Sequence, residues 1–207
     1  MRVLIATSNQ GKLRDFAGAA AVHGITVVEL AGFASLPEAV EDGASFEENA
    51  RKKAEHYSRF APGELLLADD SGLCVEALGG EPGVHSARYA AADRTSVNGS
   101  DAANPDSANN AKLLRELEPV AEDRRTARFV CVISAARDGH EVARFRGEAR
   151  GVILREVRGT MGFGYDPLFF VPALGKSFAE LTSEEKAQVS HRGAALRNFL
   201  QWARQAL

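Results

Sequence analysis

Two adjacent carboxylates are the strongest chemical signal in the sequence. Asp69 and Asp70 directly follow the apolar run Leu65–Ala68, which is typical of a short buried strand, and they precede Ser71 and Gly72. In open α/β sheets, ligands bind beyond the carboxyl ends of the strands. Because neighbouring strand residues point to opposite faces, we expect only one of the two carboxylates to face such a site. A turn with helix-capping aspartates would also explain the pair.

A lysine interrupts the apolar face of a predicted helix. Ser45 and Glu48 have the spacing of a capping box, and the helix is predicted to reach about Phe60. Lys53 falls in the middle of the apolar face, which consists of Phe46, Ala50, Ala54, Tyr57 and Phe60. Such a lysine must extend to solvent, pair with an acid, or line a cavity for an anion.

If Lys53 lines a cavity for an anion, its replacement should change the stability of the ligand-free protein. If Lys53 lines an empty anion site beside Lys12, the two cations repel each other. We would then expect Lys53→Met to stabilise the ligand-free protein slightly.

Three further segments carry groups that can bind a nucleotide. The loop Thr7-Ser8-Asn9-Gln10-Gly11-Lys12 lies between a predicted strand and helix, where backbone N–H groups and a lysine can bind phosphate, although it is not a P-loop. In Phe163-Gly164-Tyr165-Asp166-Pro167, a ring can stack on a base and an aspartate can accept from a ring N–H. His191 and Arg192 can donate to a keto oxygen. Taken singly, these segments are also explained as a polar loop, a rigid turn and an exposed helix start.

Magnesium suits this combination of groups. Carboxylate oxygens and substrate phosphates are the ligands that this ion prefers. Besides Asp70, Glu41 in the acidic stretch Glu38–Asp42 is a further possible ligand, although by itself it would be an ordinary solvated charge. The cations, the carboxylates, the aromatic–glycine turn and the His-Arg pair together indicate a magnesium–nucleotide site.

Alternating strands and helices must position these groups. The predicted strands are Val3–Thr7, Ile25–Leu30, Leu65–Ala68, Ala127–Ala136 and Glu141–Ala149, and Leu168–Val171 is a further apolar run. Predicted helices begin near Leu13, Ser45, Ala108, Thr182 and Ser190. A strand–helix–strand unit at the start favours parallel pairing, whereas Asp138-Gly139 between two β-rich runs predicts a hairpin. The fold class is therefore α/β with a mixed sheet, and Asn98–Ser107 is predicted to be a mobile surface loop.

Composition limits the remaining classes of protein. The chain has 207 residues, of which 45% are hydrophobic, and a net charge of −3, so we expect one domain around a sizeable core. The absence of a basic excess disfavours a nucleic-acid partner. No apolar run approaches the length of a membrane span, and the start of the chain lacks the pattern of a signal peptide. We therefore expect a soluble cytoplasmic protein in which Cys74 and Cys131 are buried hydrophobes.

The motifs together resemble one known family, the non-canonical purine nucleoside triphosphate pyrophosphatases, also called inosine/xanthosine triphosphate pyrophosphatases. The resemblance covers nearly the whole chain. The segments that carry it are Thr7–Lys12, Ser45–Ala50, Ala68–Leu73, Phe163–Pro167 and Ser190–Gly193. It implies an elongated mixed β-sheet flanked by helices, with two lobes around a central cleft, usually in a homodimer. It also implies magnesium-dependent hydrolysis of ITP, dITP and XTP to the monophosphate and pyrophosphate, which removes deaminated purines from the nucleotide pool.

The resemblance also implies a role for each matching residue. The triphosphate would be held by Thr7, Ser8, Asn9, Gln10, Gly11, Lys12 and Lys53. Glu41 and Asp70 would hold the metal, with Asp70 as the proposed base and Asp69 as its neighbour. Substrate contacts would come from Ser71, Phe163, Gly164, Tyr165, Asp166, Lys186, His191 and Arg192.

Two departures from the family pattern and two alternative functions remain. Ser8 stands where many members have glycine, and the segment Ala90–Ser107 is longer than usual, which bears on loop order and the dimer contact.

One alternative function is that of a related pyrophosphatase, which acts on modified pyrimidine nucleotides. The other is a nucleotide-binding or nucleic-acid-binding protein without catalysis, which the acidic balance and the Asp69-Asp70 pair disfavour.

Overall fold

A mixed sheet forms the framework of the chain. The computed structural model describes residues 2–21, 23–93 and 104–206. Its strands are β1 (Arg2–Ile5), β2 (Thr26–Glu29), β3 (Leu66–Val75), β4 (Thr126–Arg137), β5 (His140–Ile153), β6 (Phe169–Val171) and β7 (Lys176–Ser177). The strand order is β2-β1-β3-β4-β5-β6-β7. β1 pairs in parallel with β2 and β3, whereas β6 is antiparallel to β5 and β7. The predicted α/β class with a mixed sheet is therefore confirmed.

The helices begin where the sequence supplies caps. They are α1 (Gln10–Ala21), α2 (Phe46–Ser58), α3 (Pro105–Glu116), α4 (Ser183–Val189) and α5 (His191–Ala206). At the start of α2, the Ser45 side chain accepts from the Glu48 N–H, as the capping box predicts. The Glu48 carboxylate, however, accepts from the Ala44 N–H, one residue before the cap. No helix within the described part of the chain is long and apolar enough to cross a membrane.

The chain divides into two compact units. The first consists of Met1–Ser71, Val130–Ala149 and Ser183–Leu207, and the second of Gly72–Phe129 and Arg150–Thr182. Both cysteines are buried, as predicted, Cys131 in the first unit and Cys74 in the second.

In the first unit, alternate residues of β1 and β3 enter different cores. Val3, Ile5 and Leu67 pack on one face with α1 and α5, through side chains that include Phe16, Leu196, Phe199, Leu200 and Ala203. Leu4, Leu66 and Ala68 pack on the other face with Ala54 and Tyr57 of α2. Leu67 of β3 therefore faces α1 and α5, whereas Leu66 and Ala68 face α2.

The hairpin and several boundaries test the sequence-based predictions. Asp138 and Gly139 join β4 to β5 with φ values of 52° and 84°, which is the left-handed backbone that a two-residue hairpin turn requires. The strand predicted to end at Ala68 continues to Val75, because β4 lies beside it and tertiary pairing overrides the poor strand propensity of the aspartates. Phe60 lies beyond the end of α2 and is 43% exposed, so its predicted place on the buried face is wrong.

The predicted loop Asn98–Ser107 lies partly outside the described residues. Its last residues belong to α3, which begins at Pro105 rather than near Ala108. Pro105 takes a first-turn position that needs no N–H, and Asn104 caps the helix by accepting from Asp106 and Ser107 N–H. The cap and the proline were present in the sequence, but the polar composition of the segment concealed them.

Candidate active site

The aspartate pair lies within a strand, at the edge where the parallel strands end. β1 ends at Ile5, and the last parallel contact is the hydrogen bond from Ala6 N–H to the Leu67 carbonyl at 2.9 Å. β3 continues past this point, so Asp69 and Asp70 lie beyond the carboxyl end of β1. Because β2 and β3 flank β1 on opposite sides, this position is a topological switch point, where α/β proteins bind ligands. The predicted position of the pair beyond a strand end therefore applies to β1, whereas the predicted end of the third strand before Asp69 is wrong.

Asp69 faces α1 and α5, and cations surround it. Lys12 Nζ lies 2.9 Å from Asp69 Oδ2, and Ser71 Oγ donates to the same oxygen at 3.0 Å. Arg192 in turn donates to Ser71 Oγ at 2.9 Å. Burial by itself would raise the pKa of Asp69, but the charges of Lys12, Arg192 and Lys53 outweigh it and hold that pKa below its ordinary value. The surroundings of Asp69 therefore favour its charged form, which pairs with Lys12.

Asp70 faces α2, and its environment has the opposite effect. Asn49 Nδ2 donates to Asp70 Oδ2 at 3.2 Å, and Lys53 Nζ lies 3.4 Å from Oδ1. Burial raises the pKa of Asp70 above its ordinary value, despite the charges of Lys53 and Lys12. The adjacent carboxylates thus differ in proton affinity, and Asp70 is the better proton acceptor of the two.

Lys53 is buried and paired. Its ammonium lies 2.9 Å from Glu41 Oε2 as well as near Asp70, and only 8% of the residue is exposed. Burial alone would lower the pKa of Lys53, but the charges of Asp70, Asp69 and Glu41 raise it. Extension to solvent is thereby excluded. The expectation that Lys12 and Lys53 repel each other without compensation is also wrong, because each has carboxylate partners of its own.

Glu41 and Asp70 share one cation. Among the described residues, no three His, Cys, Asp or Glu side chains lie close enough together to hold a metal by themselves. Oxygens of Glu41 and Asp70 nevertheless converge on Lys53 Nζ, so two carboxylates face one position that attracts positive charge. Magnesium is usually bound by one or two carboxylates together with substrate phosphates, and this pair fits that requirement.

The loop before α1 is organised by its own side chains. Thr7 Oγ1 accepts from Asn9 N–H at 3.2 Å, and Asn9 Oδ1 accepts from Lys12 N–H at 3.0 Å, so Asn9 caps the helix. Ser8, Asn9 and Gln10 are exposed, whereas Gly11 is buried. An exposed helix N-terminus beside a lysine is the arrangement that favours phosphate binding.

Asp15 is a residue that the sequence analysis missed. Its Oδ2 lies 3.3 Å from Lys186 Nζ and 3.0 Å from Arg192 Nη1, so it joins two of the predicted substrate contacts. Asp15 lies three residues after Lys12, hence on the same side of α1, and this spacing could have indicated from the sequence that Asp15 lies near the site.

His191 is only 1% exposed. Burial, together with the charges of Arg192, Lys186 and Lys12, keeps its pKa well below the ordinary value, so its imidazole is neutral.

The segment Phe163–Asp166 belongs to the second unit, where it is a rigid turn. The Gly164 N–H donates to Asp106 at 2.7 Å, and its carbonyl accepts from Asn110 at 2.9 Å. Tyr165 and Asp166 are buried. Tyr165 donates to the Ser86 carbonyl at 2.8 Å, and Asp166 accepts from Phe163 N–H at 2.9 Å. These contacts fit a turn with Tyr165 packed inward, whereas the Phe163 side chain is half-buried, and the substrate contacts of this segment stay a prediction.

Together, these features define a class of protein. It is an α/β protein with an acidic pair at a topological switch point, flanked by lysines and an arginine that suit a phosphate-bearing ligand. More particularly, the chain belongs to the Ham1 family, whose model matches residues 3–202.

Individual relatives match over nearly their full lengths. A protein of Acidobacterium capsulatum named dITP/XTP pyrophosphatase is 50% identical, with 97% of each chain covered. One of the same name from Desulforamulus reducens is 47% identical over 97% of this chain and 94% of its own. The solved structure of the Staphylococcus aureus Ham1 protein matches with a TM-score of 0.80 and 39% identity, covering 100% of both chains.

Proposed function

We propose that this chain hydrolyses non-canonical purine nucleoside triphosphates, namely ITP, dITP and XTP, to the monophosphate and pyrophosphate. In this role it removes deaminated purines from the nucleotide pool. The observation that carries the proposal is the placement of Asp69 and Asp70 between Lys12 and Lys53 at the switch point. Relatives that are 47% and 50% identical are named dITP/XTP pyrophosphatase, which supports dITP and XTP as substrates.

Residues of the first unit have different roles in the proposed reaction. The α1 N-terminus, Lys12 and Lys53 bind the triphosphate and offset its charge. Asp70, which has the higher proton affinity of the two aspartates, accepts a proton from the water that attacks the α-phosphorus. Asp69 keeps Lys12 in place. Pyrophosphate is the leaving group.

We also propose that the enzyme depends on magnesium. Nucleotide pyrophosphatases are in general metal-dependent, and Glu41 and Asp70 are the residues that would hold the ion. When bound, it would neutralise phosphate charge during the reaction. The family resemblance further supports a homodimer and a location in the cytoplasm. Light scattering of the purified chain tests the homodimer through its mass in solution.

One experiment decides between the candidate functions. Purified protein is given a panel of triphosphates with and without magnesium, and the products are resolved as monophosphate or diphosphate. We expect ITP and XTP to yield monophosphate and pyrophosphate only when magnesium is present. Faster turnover of 5-methyl-UTP or pseudo-UTP would assign the chain to modified pyrimidines. Binding of ITP without release of pyrophosphate would make it a binding protein.

Arg192→Ala is expected to reduce the preference for ITP over ATP about tenfold. In the proposed site, Arg192 donates to the 6-keto oxygen of the base, whereas the 6-amino group of adenine would leave that donor without a partner. Asp15 and Ser71 hold its guanidinium. The measurement is kcat/KM for both nucleotides. An unchanged ratio would show that selectivity arises elsewhere.

A further inference from the structure

Asn49 is a buried polar residue beside the proposed metal ligands. It is only 3% exposed and lies one turn before Lys53 on α2, so both side chains project from the same face. Each donates to a different oxygen of Asp70: Asn49 Nδ2 lies 3.2 Å from Oδ2, and Lys53 Nζ lies 3.4 Å from Oδ1. The Asp70 carboxylate is therefore held at both oxygens by one helix.

The other end of the same amide holds the segment that carries Glu41. Asn49 Oδ1 accepts from the Gly43 N–H at 2.8 Å. A Cβ on Gly43 would lie 2.7 Å from that oxygen and 2.7 Å from Glu48 Cβ, so the close approach requires glycine. Glu41 is only two residues before Gly43, and its carboxylate contacts Lys53 at 2.9 Å.

We propose that Asn49 is a positioning residue for the two carboxylates. One amide ties Asp70 to the Glu41 segment, and this brings both carboxylates to a single cation. Without the amide, Asp70 and the Glu41 segment would no longer be joined to each other, and both carboxylates would depend on Lys53 alone for their placement. The identity of the cation as magnesium rests on the proposed function, whereas the tie itself is a property of the metal-free chain.

The test compares Asn49→Leu with a matched control. Leucine fills a similar volume but can neither donate nor accept. The control is Asn109→Leu in the second unit, another buried asparagine that is bonded at both ends of its amide. The first readout is amide hydrogen exchange of the metal-free protein across residues 38–45, because the Gly43 N–H is itself the donor. We expect faster exchange there in Asn49→Leu and no change in Asn109→Leu.

The second readout is the dependence on metal. Residues that orient metal ligands typically contribute about 10–100-fold to metal affinity, and we expect a shift of this size in the half-saturating magnesium concentration of Asn49→Leu. At saturating magnesium, kcat with ITP should fall about tenfold or more while KM changes less than about threefold, since the binding lysines remain. Calorimetric titration of the variant with MgCl2 measures the same loss without substrate.

Each outcome either supports the inference or overturns it. Unchanged exchange at residues 38–45 overturns it, and so does an equal metal shift in both variants, which would indicate general destabilisation. If Asn49→Leu does not fold, Gly43→Ala replaces it, because that change displaces the Glu41 segment but leaves the Asn49–Asp70 bond. A Gly43→Ala protein with unaltered magnesium affinity would equally overturn the inference. If the wild-type chain does not hydrolyse ITP, the proposed function fails, but exchange and calorimetry still decide the role of Asn49.

Discussion

Asp70→Asn is expected to lower kcat/KM for ITP by about a thousandfold or more while the protein still folds. The substitution removes the proposed base and one negative metal ligand but keeps the shape of the side chain. Because burial already raises the pKa of Asp70, its surroundings favour an uncharged group, and a neutral amide should cost little folding free energy. Pyrophosphate release and a thermal melt measure the two effects.

Asp69→Asn is the matched control for this variant. The pKa of Asp69 is lowered because Lys12, Arg192 and Lys53 favour its charged form. Neutralising it should therefore destabilise the protein by about 2 kcal/mol, more than Asp70→Asn does. Turnover of Asp70→Asn close to that of the wild type at saturating magnesium would contradict the assignment of Asp70.

Lys53→Met should have a large effect on both stability and activity. Its removal leaves Asp70 buried without its cation, so we expect a loss of about 2–3 kcal/mol in unfolding free energy. The loss stays at the lower end for a broken buried pair because Glu41 is half exposed and Asp70 can take up a proton. We expect kcat/KM to fall at least about a hundredfold, since a charge-assisted contact to phosphate is lost.

The neighbouring residue supplies the control for Lys53. Lys52 pairs with Asp42 on the exposed side of α2, so Lys52→Met removes the same charge from the same helix. An exposed pair contributes less than about 1 kcal/mol, and activity should not change. Chemical denaturation of both variants and kinetics with ITP give the comparison. Equal stability of Lys53→Met and Lys52→Met, with normal kinetics in both, would remove Lys53 from the site.

The sequence was sufficient to single out the charged residues that the structure brings together, because they lie in recognisable local patterns. Lys53 was conspicuous on an apolar helix face, and Asp69 and Asp70 were conspicuous after an apolar run. The sign of the Lys53 effect on stability could not be predicted, because it depends on carboxylates 12 residues before it and 17 residues after it. Such pairing is a property of the packed chain rather than of any local pattern.

Polar residues on helices were the main source of error in the site. Asn49 and Asp15 are residue types that are common on the exposed faces of helices. Only tertiary structure shows that Asn49 joins Asp70 to the Gly43 N–H and that Asp15 joins Lys186 to Arg192. The predicted strand end at Ala68 was wrong for a related reason. β3 passes through Asp69 and Asp70 because of its neighbour β4, whereas local propensity favours a stop at that point.

Because side chains alternate along β3, the surroundings of Asp69 and Asp70 depend on the number of residues that precede them in the strand. Asp69 meets Lys12 of α1, whereas Asp70 meets residues of α2, because neighbouring residues of one strand point to opposite faces. Removing a single residue between Leu66 and Ala68 would shift the register by one and carry each carboxylate to the opposite side of the sheet. Asp70 would then meet the charges that lower the pKa of Asp69, whereas Asp69 would take the place of Ala68 in an apolar core. Insertions and deletions here are therefore far more damaging than their size suggests.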